Sequence, residues 1–270
     1  MYCPVCQNYD IALVLTAEKY KFFRCRRCGL IYRSFQNQPN HNILYSNQYY
    51  YQGSKLKKKI EQFLTGLINN RRKQLIKRCQ NGGKILDLGC GLGQFLDQMS
   101  NQDWQKIGVE PSQAAHQQIA KLNFTTYSQK LTDINLPENS LDVITAWHVL
   151  EHLPNPRMTL LEINRILKEN GFLFLSTPNT DSFGFQQGKE KWFHLDASRH
   201  LFLFNAQNLK KILNQTGFRV IKINYPFFEY PLDLFRSLRG INKFMLGLSG
   251  KLIFPFIKKG ETIEIVCRKK

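Results

Sequence analysis

The 270-residue chain has no apolar run approaching the ~20 residues needed to cross a bilayer. It also lacks a charged-then-apolar leader, since Met1 runs almost at once into Cys3, and the expectation is a cytoplasmic protein. Acidic residues are scarce: 20 Asp and Glu stand against 38 Lys and Arg, a formal net charge of +18. Such an excess points to anionic partners, whether nucleic acid, nucleotide-linked sugars or an acidic membrane surface, and does not choose among them. The length suits one full core with an appendage.

The seven cysteines are few and unevenly placed. Cys3-Pro4-Val5-Cys6 and Cys25-Arg26-Arg27-Cys28 form two C-x2-C knuckles at the spacing of a four-thiolate zinc site, with Tyr20, Phe22 and Phe23 in the hairpin between them. Four thiolates leave no open coordination position, so the expected metal is structural zinc, bound in a ribbon over 1–40. Two disulfides would be the alternative in a secreted chain. Cys79, Cys90 and Cys267 are scattered and read as packing residues.

One turn also lacks something. Ile85-Leu86-Asp87-Leu88 runs as a buried strand into Gly89-Cys90-Gly91-Leu92-Gly93, which is G-x-G-x-G and not the G-x-G-x-x-G of a pyrophosphate-binding turn. Asp87 would sit badly beside a phosphate but well beside a cationic, phosphate-free cofactor. Glu110, after Ile107-Gly108-Val109, is placed to accept both hydroxyls of a ribose. This pattern resembles motif I of the class I S-adenosyl-L-methionine-dependent methyltransferases. The resemblance spans roughly Lys84 to Tyr225, with Leu136–Leu153 as the fourth-strand region and Gly171–Asn179 as the fifth strand and its exit. Between these strands Pro156 opens a helix with Leu160, Ile163 and Leu167 on one face, and Asn205 opens another that carries Leu209, Ile212 and Leu213 and stops at Gly217. The implied fold is α/β, a doubly wound Rossmann-like methyltransferase sheet over 81–270 with a small N-terminal zinc ribbon. The resemblance implies cofactor contacts from Asp87, Gly89, Cys90, Gly91, Gly93, Glu110, Pro111, Leu131, Trp147 and His148. For adenine, Asp133, Gln129 or the backbone near Leu131 are alternatives.

Residues 41–80 read as a helical linker and cofactor lid. Tyr45 and Tyr49-Tyr50-Tyr51 precede a helix containing Ile60, Phe63, Leu64, Leu67 and Ile68, and Asn81-Gly82-Gly83 breaks it. A ribbon, a tyrosine-bearing linker and this cofactor domain together are similar to a methyltransferase family of sugar and polysaccharide modification. In that family the linker covers the cofactor, and the alternative here is tyrosines that wedge the helix onto the core.

A hydroxyl acceptor calls for a general base, and histidine is the usual choice. Trp192–Phe204 follows the fifth strand and resembles the family's acceptor segment, making His200 the first candidate base and His194 the second, against a purely loop-ordering role. His148-Val149-Leu150-Glu151-His152 matches the H-x-x-E-H zinc-protease pattern, which requires a helix that Pro154 and Pro156 disfavour. It also resembles the E-x-x-E-H-like segment of metal-dependent O-methyltransferases such as those of ubiquinone biosynthesis. His148 in place of a carboxylate weakens a magnesium reading, and Glu151 and His152 are expected to brace the turn.

Finally, an insertion at 228–260 alternates Phe235, Phe244 and Phe254 with Arg236, Arg239, Lys243 and Lys258. This composition suits a membrane interface at the inner face or, equally, a flap or dimer contact. The leading expectation is methyl transfer to a sugar, glycan or lipid-linked acceptor. An RNA methyltransferase is second, disfavoured because the fourth strand leads into Ala146-Trp147-His148-Val149 and not an Asn/Asp-Pro-Pro-Tyr-like run. A non-catalytic binding module is third. The acceptor, the atom methylated and the oligomeric state are not legible in the sequence.

Overall fold

A computed structural model describes residues 2–34, 55–226 and 260–270. The linker tyrosines Tyr45, Tyr49, Tyr50 and Tyr51 and nearly all of the insertion at 228–260 lie outside the described residues.

The N-terminal ribbon is an antiparallel hairpin, β1 (Ile11–Ala17) with β2 (Tyr20–Cys25), extended by β3 (Ile31–Arg33). The larger body holds β4 (Gly83–Leu88), β5 (Trp104–Val109), β6 (Thr125–Tyr127), β7 (Leu141–Trp147), β8 (Leu167–Pro178), β10 (Phe218–Asn224) and β11 (Thr262–Lys269). They form one sheet in the order β10-β11-β8-β7-β4-β5-β6. The β4, β5, β6, β7 and β8 pairings are parallel, and β11 runs antiparallel to both of its neighbours. The order reverses beside β4, which places a crevice at the carboxyl ends of β4 and β7.

Side-chain alternation makes the sheet two-sided. Leu86, Leu88, Ile144, Ala146, Leu173, Leu175, Ile263 and Ile265 share one cluster with Leu160 and Ile163 of α4 (Pro156–Ile166) and with Leu209 and Ile212 of α6 (Ala206–Gln215). Ile85, Val143, Phe174 and Val266 face the other way. They pack with Leu75 and Ile76 of α1 (Lys55–Lys77), Phe95 and Leu96 of α2 (Gln94–Asp97) and Ile119 of α3 (Gln113–Ile119). The end of α1 therefore belongs to the same packed body as the sheet, so the expected break at 80/81 falls within one core.

The helix starts follow their caps. Asn155 accepts from the Met158 amide with Pro156 in the first turn, and Asn205 and Asn208 form a reciprocal capping box. Leu167, expected on a helix face, is instead the first residue of β8 and fully buried. The helix read from Ile60, Phe63, Leu64 and Leu67 is present as α1, with Ile60, Phe63 and Leu67 exposed, Phe63 to 66%. Among the described residues no helix is long and apolar enough to cross a membrane.

The ribbon is joined to this body by a strand it does not itself contain. β9 (Phe202–Leu203) adds to β3, giving the sheet order β1-β2-β3-β9. One face of the ribbon, through Leu30 and Tyr32, joins the main core; the other, through Leu15, Phe22 and Ile31, packs on Phe185 of α5 (Phe183–Gly188), Trp192, Leu195 and Ala197.

α1 is locked to the sheet by Arg71, whose guanidinium makes a two-pronged pair with the fully buried Glu264. Asn224 Nδ2 also donates to that carboxylate, at 3.0 Å. Arg71→Met leaves Glu264 buried with one neutral donor. Because the guanidinium is 39% exposed, the expected loss is about 2 kcal/mol, below the full cost of breaking a buried pair. Urea unfolding at neutral pH measures it.

Candidate active site

At the carboxyl end of β4, Asp87 is buried and its Oδ1 accepts from Thr145 Oγ1 of β7 at 2.6 Å. Burial pushes the Asp87 carboxyl up to about 7, against the Thr145 hydrogen bond and the nearby Arg72 guanidinium, which both favour its charge. Arg72 is held 4.5 Å above the Trp147 ring, and Phe95 packs edge-on against the same indole.

The three glycines of the turn do different jobs. All have positive φ, but a Cβ at Gly89 would meet Val149 Cγ2 at 2.5 Å and one at Gly93 would meet Leu122 and Phe124. A Cβ at Gly91 meets nothing within 4 Å. Gly91 thus borders open space among the described residues, while Gly89 and Gly93 also make room for neighbouring side chains. Cys90 is buried beneath the turn.

Glu110, just past β5, organises this crevice. Its Oε2 accepts from the Gly91 amide and its Oε1 from the Ser112 amide, each at 2.9 Å. Burial raises its pKa, and the two amides oppose the rise. Each carboxylate oxygen has a second acceptor position, the pair that two vicinal ribose hydroxyls require. Pro111 is half-buried beside it, and Leu131 is buried at the start of a 3-10 turn, Leu131–Asp133. Asp133 and Gln129 are both exposed, with Asp133 taking the Thr132 hydroxyl.

Beyond β7, His148 adopts a left-handed φ of 56°, an unfavourable backbone for a non-glycine residue, and its amide donates to the Ser176 carbonyl. Leu150–His152 is a 3-10 turn, so the H-x-x-E-H residues do not share the α-helix that a protease would need. Glu151 is fully buried, with His148 Nδ1 at 3.3 Å from its Oε1. The Trp192–Phe204 segment returns here. The Leu201 amide donates to the Glu151 carbonyl at 2.8 Å, and the His152 and His200 rings lie with centroids 4.7 Å apart.

One ligand atom each from Glu151, His152 and His200 lie within 4.8 Å of one another. A carbonyl oxygen only accepts, so His200 Nδ1, 2.9 Å from the His194 carbonyl, carries the hydrogen, and so does His152 Nδ1 beside the Arg199 carbonyl. That tautomer makes Nε2 the lone-pair atom of each ring. A carboxylate and two such nitrogens can share a proton or hold a divalent cation. Burial drives the His200 pKa down to about 3, keeping the ring neutral, and His148 Nδ1 holds the Glu151 carboxyl down near 2 against its burial. His194 is buried between Trp192 and Phe193 and lends its carbonyl to the cluster. Sequence reading treated Glu151, His152 and His200 separately; only the fold brings them together.

At the other end of the ribbon Cys3, Cys6, Cys25 and Cys28 place all four sulfurs within 4.8 Å of one another, with Cys3–Cys28 at 3.6 Å and Cys6–Cys25 at 3.4 Å. These gaps are far too long for S–S bonds. They are close to the edge of about 3.8 Å that a tetrahedron of ~2.3 Å zinc–sulfur bonds would have, so the donors fit that ion. The left-handed Gly29 closes the second knuckle by donating to the Cys25 carbonyl.

Two outcomes follow for the cofactor crevice. Gly91→Ala projects its methyl into the open space and should leave the fold intact at about 1 kcal/mol of backbone strain. Calorimetric affinity for S-adenosylhomocysteine is expected to fall at least ~10-fold. Asp87, neutral in the folded protein up to about pH 7, binds a proton that the unfolded chain releases near pH 4, so it lowers stability as pH rises between those values. A cofactor ammonium favours the carboxylate, and affinity should therefore tighten as pH rises through 7. Asp87→Asn should flatten that dependence and raise the melting temperature at pH 8; an unchanged slope would separate Asp87 from the cofactor.

Comparison with known proteins agrees with this geometry. A family model described as a methyltransferase domain matches residues 57–223. A malonyl-[acyl-carrier protein] O-methyltransferase of Paenibacillus sp. is 25% identical over 63% of this chain and 70% of its own length. A ubiquinone biosynthesis O-methyltransferase of Bradyrhizobium diazoefficiens is 32% identical over 52% of this chain and 62% of that relative. Among solved structures, a SAM-dependent methyltransferase from Archaeoglobus fulgidus superposes with a TM-score of 0.58 at 19% identity, covering 85% of this chain and 100% of that one. A seven-stranded sheet reversing at β4, a glycine turn open at Gly91 and a carboxylate at Glu110 form the expected crevice, and the chain belongs to the methyltransferase-domain family as an S-adenosyl-L-methionine-dependent enzyme.

Proposed function

We propose that the enzyme methylates a hydroxyl of a sugar or glycan, including a lipid-linked one, with structural zinc in the four-cysteine ribbon. The observation that carries this is the return of Trp192–Phe204 onto Glu151 and His152 beside the cofactor crevice: Val149 packs on Gly89, and Leu201 is bonded to Glu151 two residues further on. A neutral histidine beside a buried carboxylate is the pairing that removes a proton from an alcohol.

The bound cofactor supplies an electrophilic methyl group. Asp87 and Glu110 take the cationic and ribose ends, and Gly91 leaves the space. His200, its Nδ1 hydrogen committed to the His194 carbonyl, offers Nε2 to the acceptor's hydroxyl proton, and Glu151 stabilises the resulting imidazolium. His194 is the second candidate. Buried aromatic and aliphatic side chains around this segment limit competing water.

Two relatives named for O-methylation support an oxygen acceptor. The ribbon and linker arrangement supports the sugar class, and the net charge of +18 favours an anionic form such as a nucleotide- or lipid-linked sugar. In this reading the protein is cytoplasmic, working at the inner membrane face when its acceptor is lipid-linked. A second reading, an RNA acceptor, draws on a groove beside the second knuckle. It is lined by Arg27, Lys210, Lys211, Gln207, Asn214 and Gln215 with no carboxylate.

The test is a panel of radiolabelled methyl transfer to nucleotide sugars, free oligosaccharides, lipid-linked glycans, malonyl-acyl-carrier protein and total RNA. Label is expected in a sugar, and His200→Ala should reduce it ~10²-fold or more with cofactor affinity retained. Label confined to RNA or to the carrier protein would sink the sugar reading.

A further inference from the structure

We propose that Arg33, the last residue of β3, is a positioning residue for the acceptor side of the site. It sets the backbone on which His200 rides and makes the ribbon a working part of the enzyme. This role rests on reading Trp192–Phe204 as the acceptor segment.

Arg33 is among the largest fully buried side chains, 1% exposed, and among the described residues no carboxylate pairs with it. Its guanidinium lies 4.5 Å above the Tyr20 ring, and its Nη1 donates to two consecutive carbonyls, Ala197 and Ser198, both at 2.9 Å. Its backbone amide donates to the carbonyl of Leu201. Among the described residues Nε and Nη2 find no hydrogen-bond acceptor. A buried cation with no carboxylate and two unmet donors among the described residues is unfavourable, and ribbon stability alone would be better served by an apolar side chain. What the charge does achieve is local. It fixes carbonyls that a loop shielded from water would otherwise leave unsatisfied.

The carbonyls of this loop are held from two sides. Those of Ala197 and Ser198 go to Arg33, that of Arg199 to His152 Nδ1, and that of Leu201 to the Arg33 amide. Asp196, in the left-handed region, turns the chain so that its own carbonyl takes the Arg199 and His200 amides. His200 is thus suspended between a clamp from the ribbon and one from the turn after β7. Removing Arg33 frees two of these carbonyls and lets the His200 ring leave its place against His152 and the His194 carbonyl, while the partners of the Arg33 guanidinium, Ala197, Ser198 and Tyr20, all lie outside the cofactor crevice.

The experiment uses the full-length protein labelled with 15N-histidine, with S-adenosylhomocysteine as the bound probe. Wild type should show His200 as a single Nδ1-protonated tautomer. In Arg33→Met that signature should give way to mixed tautomers, and amide exchange across Leu201–Phe204 should accelerate at least ~10-fold, with probe affinity within about twofold. Arg33→Lys keeps donors for both carbonyls and should restore the wild-type signature. If Arg33→Met does not fold, Arg33→Gln, which keeps one donor group, takes its place with the same expectation in weaker form.

An unchanged His200 signature in a folded variant would overturn the proposal. So would parallel loss of probe binding, which would make Arg33 a support of the whole fold, or a lysine variant as disturbed as the methionine one. No readout involves a methyl acceptor, so a negative sugar panel and a negative result here are distinguishable.

Discussion

The structure depends on how a chain poor in carboxylates uses the ones it has. Asp87, Glu110, Glu151 and Glu264 are all buried, and each is placed where specific donors meet it: Thr145, the Gly91 and Ser112 amides, His148, and Arg71 with Asn224. Glu261, only half-buried, likewise takes the Gly184 amide, the Ser182 hydroxyl and the Trp192 indole, tying down the start of the Trp192–Phe204 segment. A buried carboxylate tolerates only a narrow set of neighbours. These acids therefore fix the glycine turn, the post-β7 turn, α1 and the acceptor loop relative to the sheet. The positive surface is the complement of this arrangement, since acids placed inside do not screen the lysines and arginines outside.

The two halves of the site are built by different means. The turns proposed to hold the cofactor are short and contiguous, after β4, β5 and β7, each fixed by its own strand. The half that the proposed function gives to the acceptor is composite. It draws on the ribbon, the turn after β7, the segment after β8 and Glu261 before β11, and it holds its histidines by backbone carbonyls. A site of this kind can change its acceptor by altering one contributor without disturbing the cofactor crevice.

That division explains what the sequence disclosed. The glycine turn, Glu110, the β7 and β8 strands and the cysteine knuckles are local patterns, readable because their partners lie within a turn or at a fixed spacing. Asn205 and Pro156 mark helix starts for the same reason. What escaped reading depends on contacts far apart in the chain. Nothing near Arg33 announces carbonyls at 197 and 198, and Phe202-Leu203 reads as part of a loop until β3 supplies its partner. The exposed residues of α1 add a further limit: Ile60, Phe63 and Leu67 show the helical spacing that the structure has, and spacing alone does not say which face meets the core. The three glycines look equivalent in sequence because a left-handed φ and a void for a ligand demand the same residue.

The pairing of β3 with β9 also sets an order of events during synthesis. The ribbon leaves the ribosome first, yet the strand that completes its sheet arrives only with residues 202–203. Until then the β3 edge presents unpaired amides and carbonyls, the kind of surface that recruits other strands. A contact so distant in sequence forms late and slowly. The nascent chain is therefore most exposed to mispairing while its larger domain is being made, and attachment of β9 marks the end of that interval.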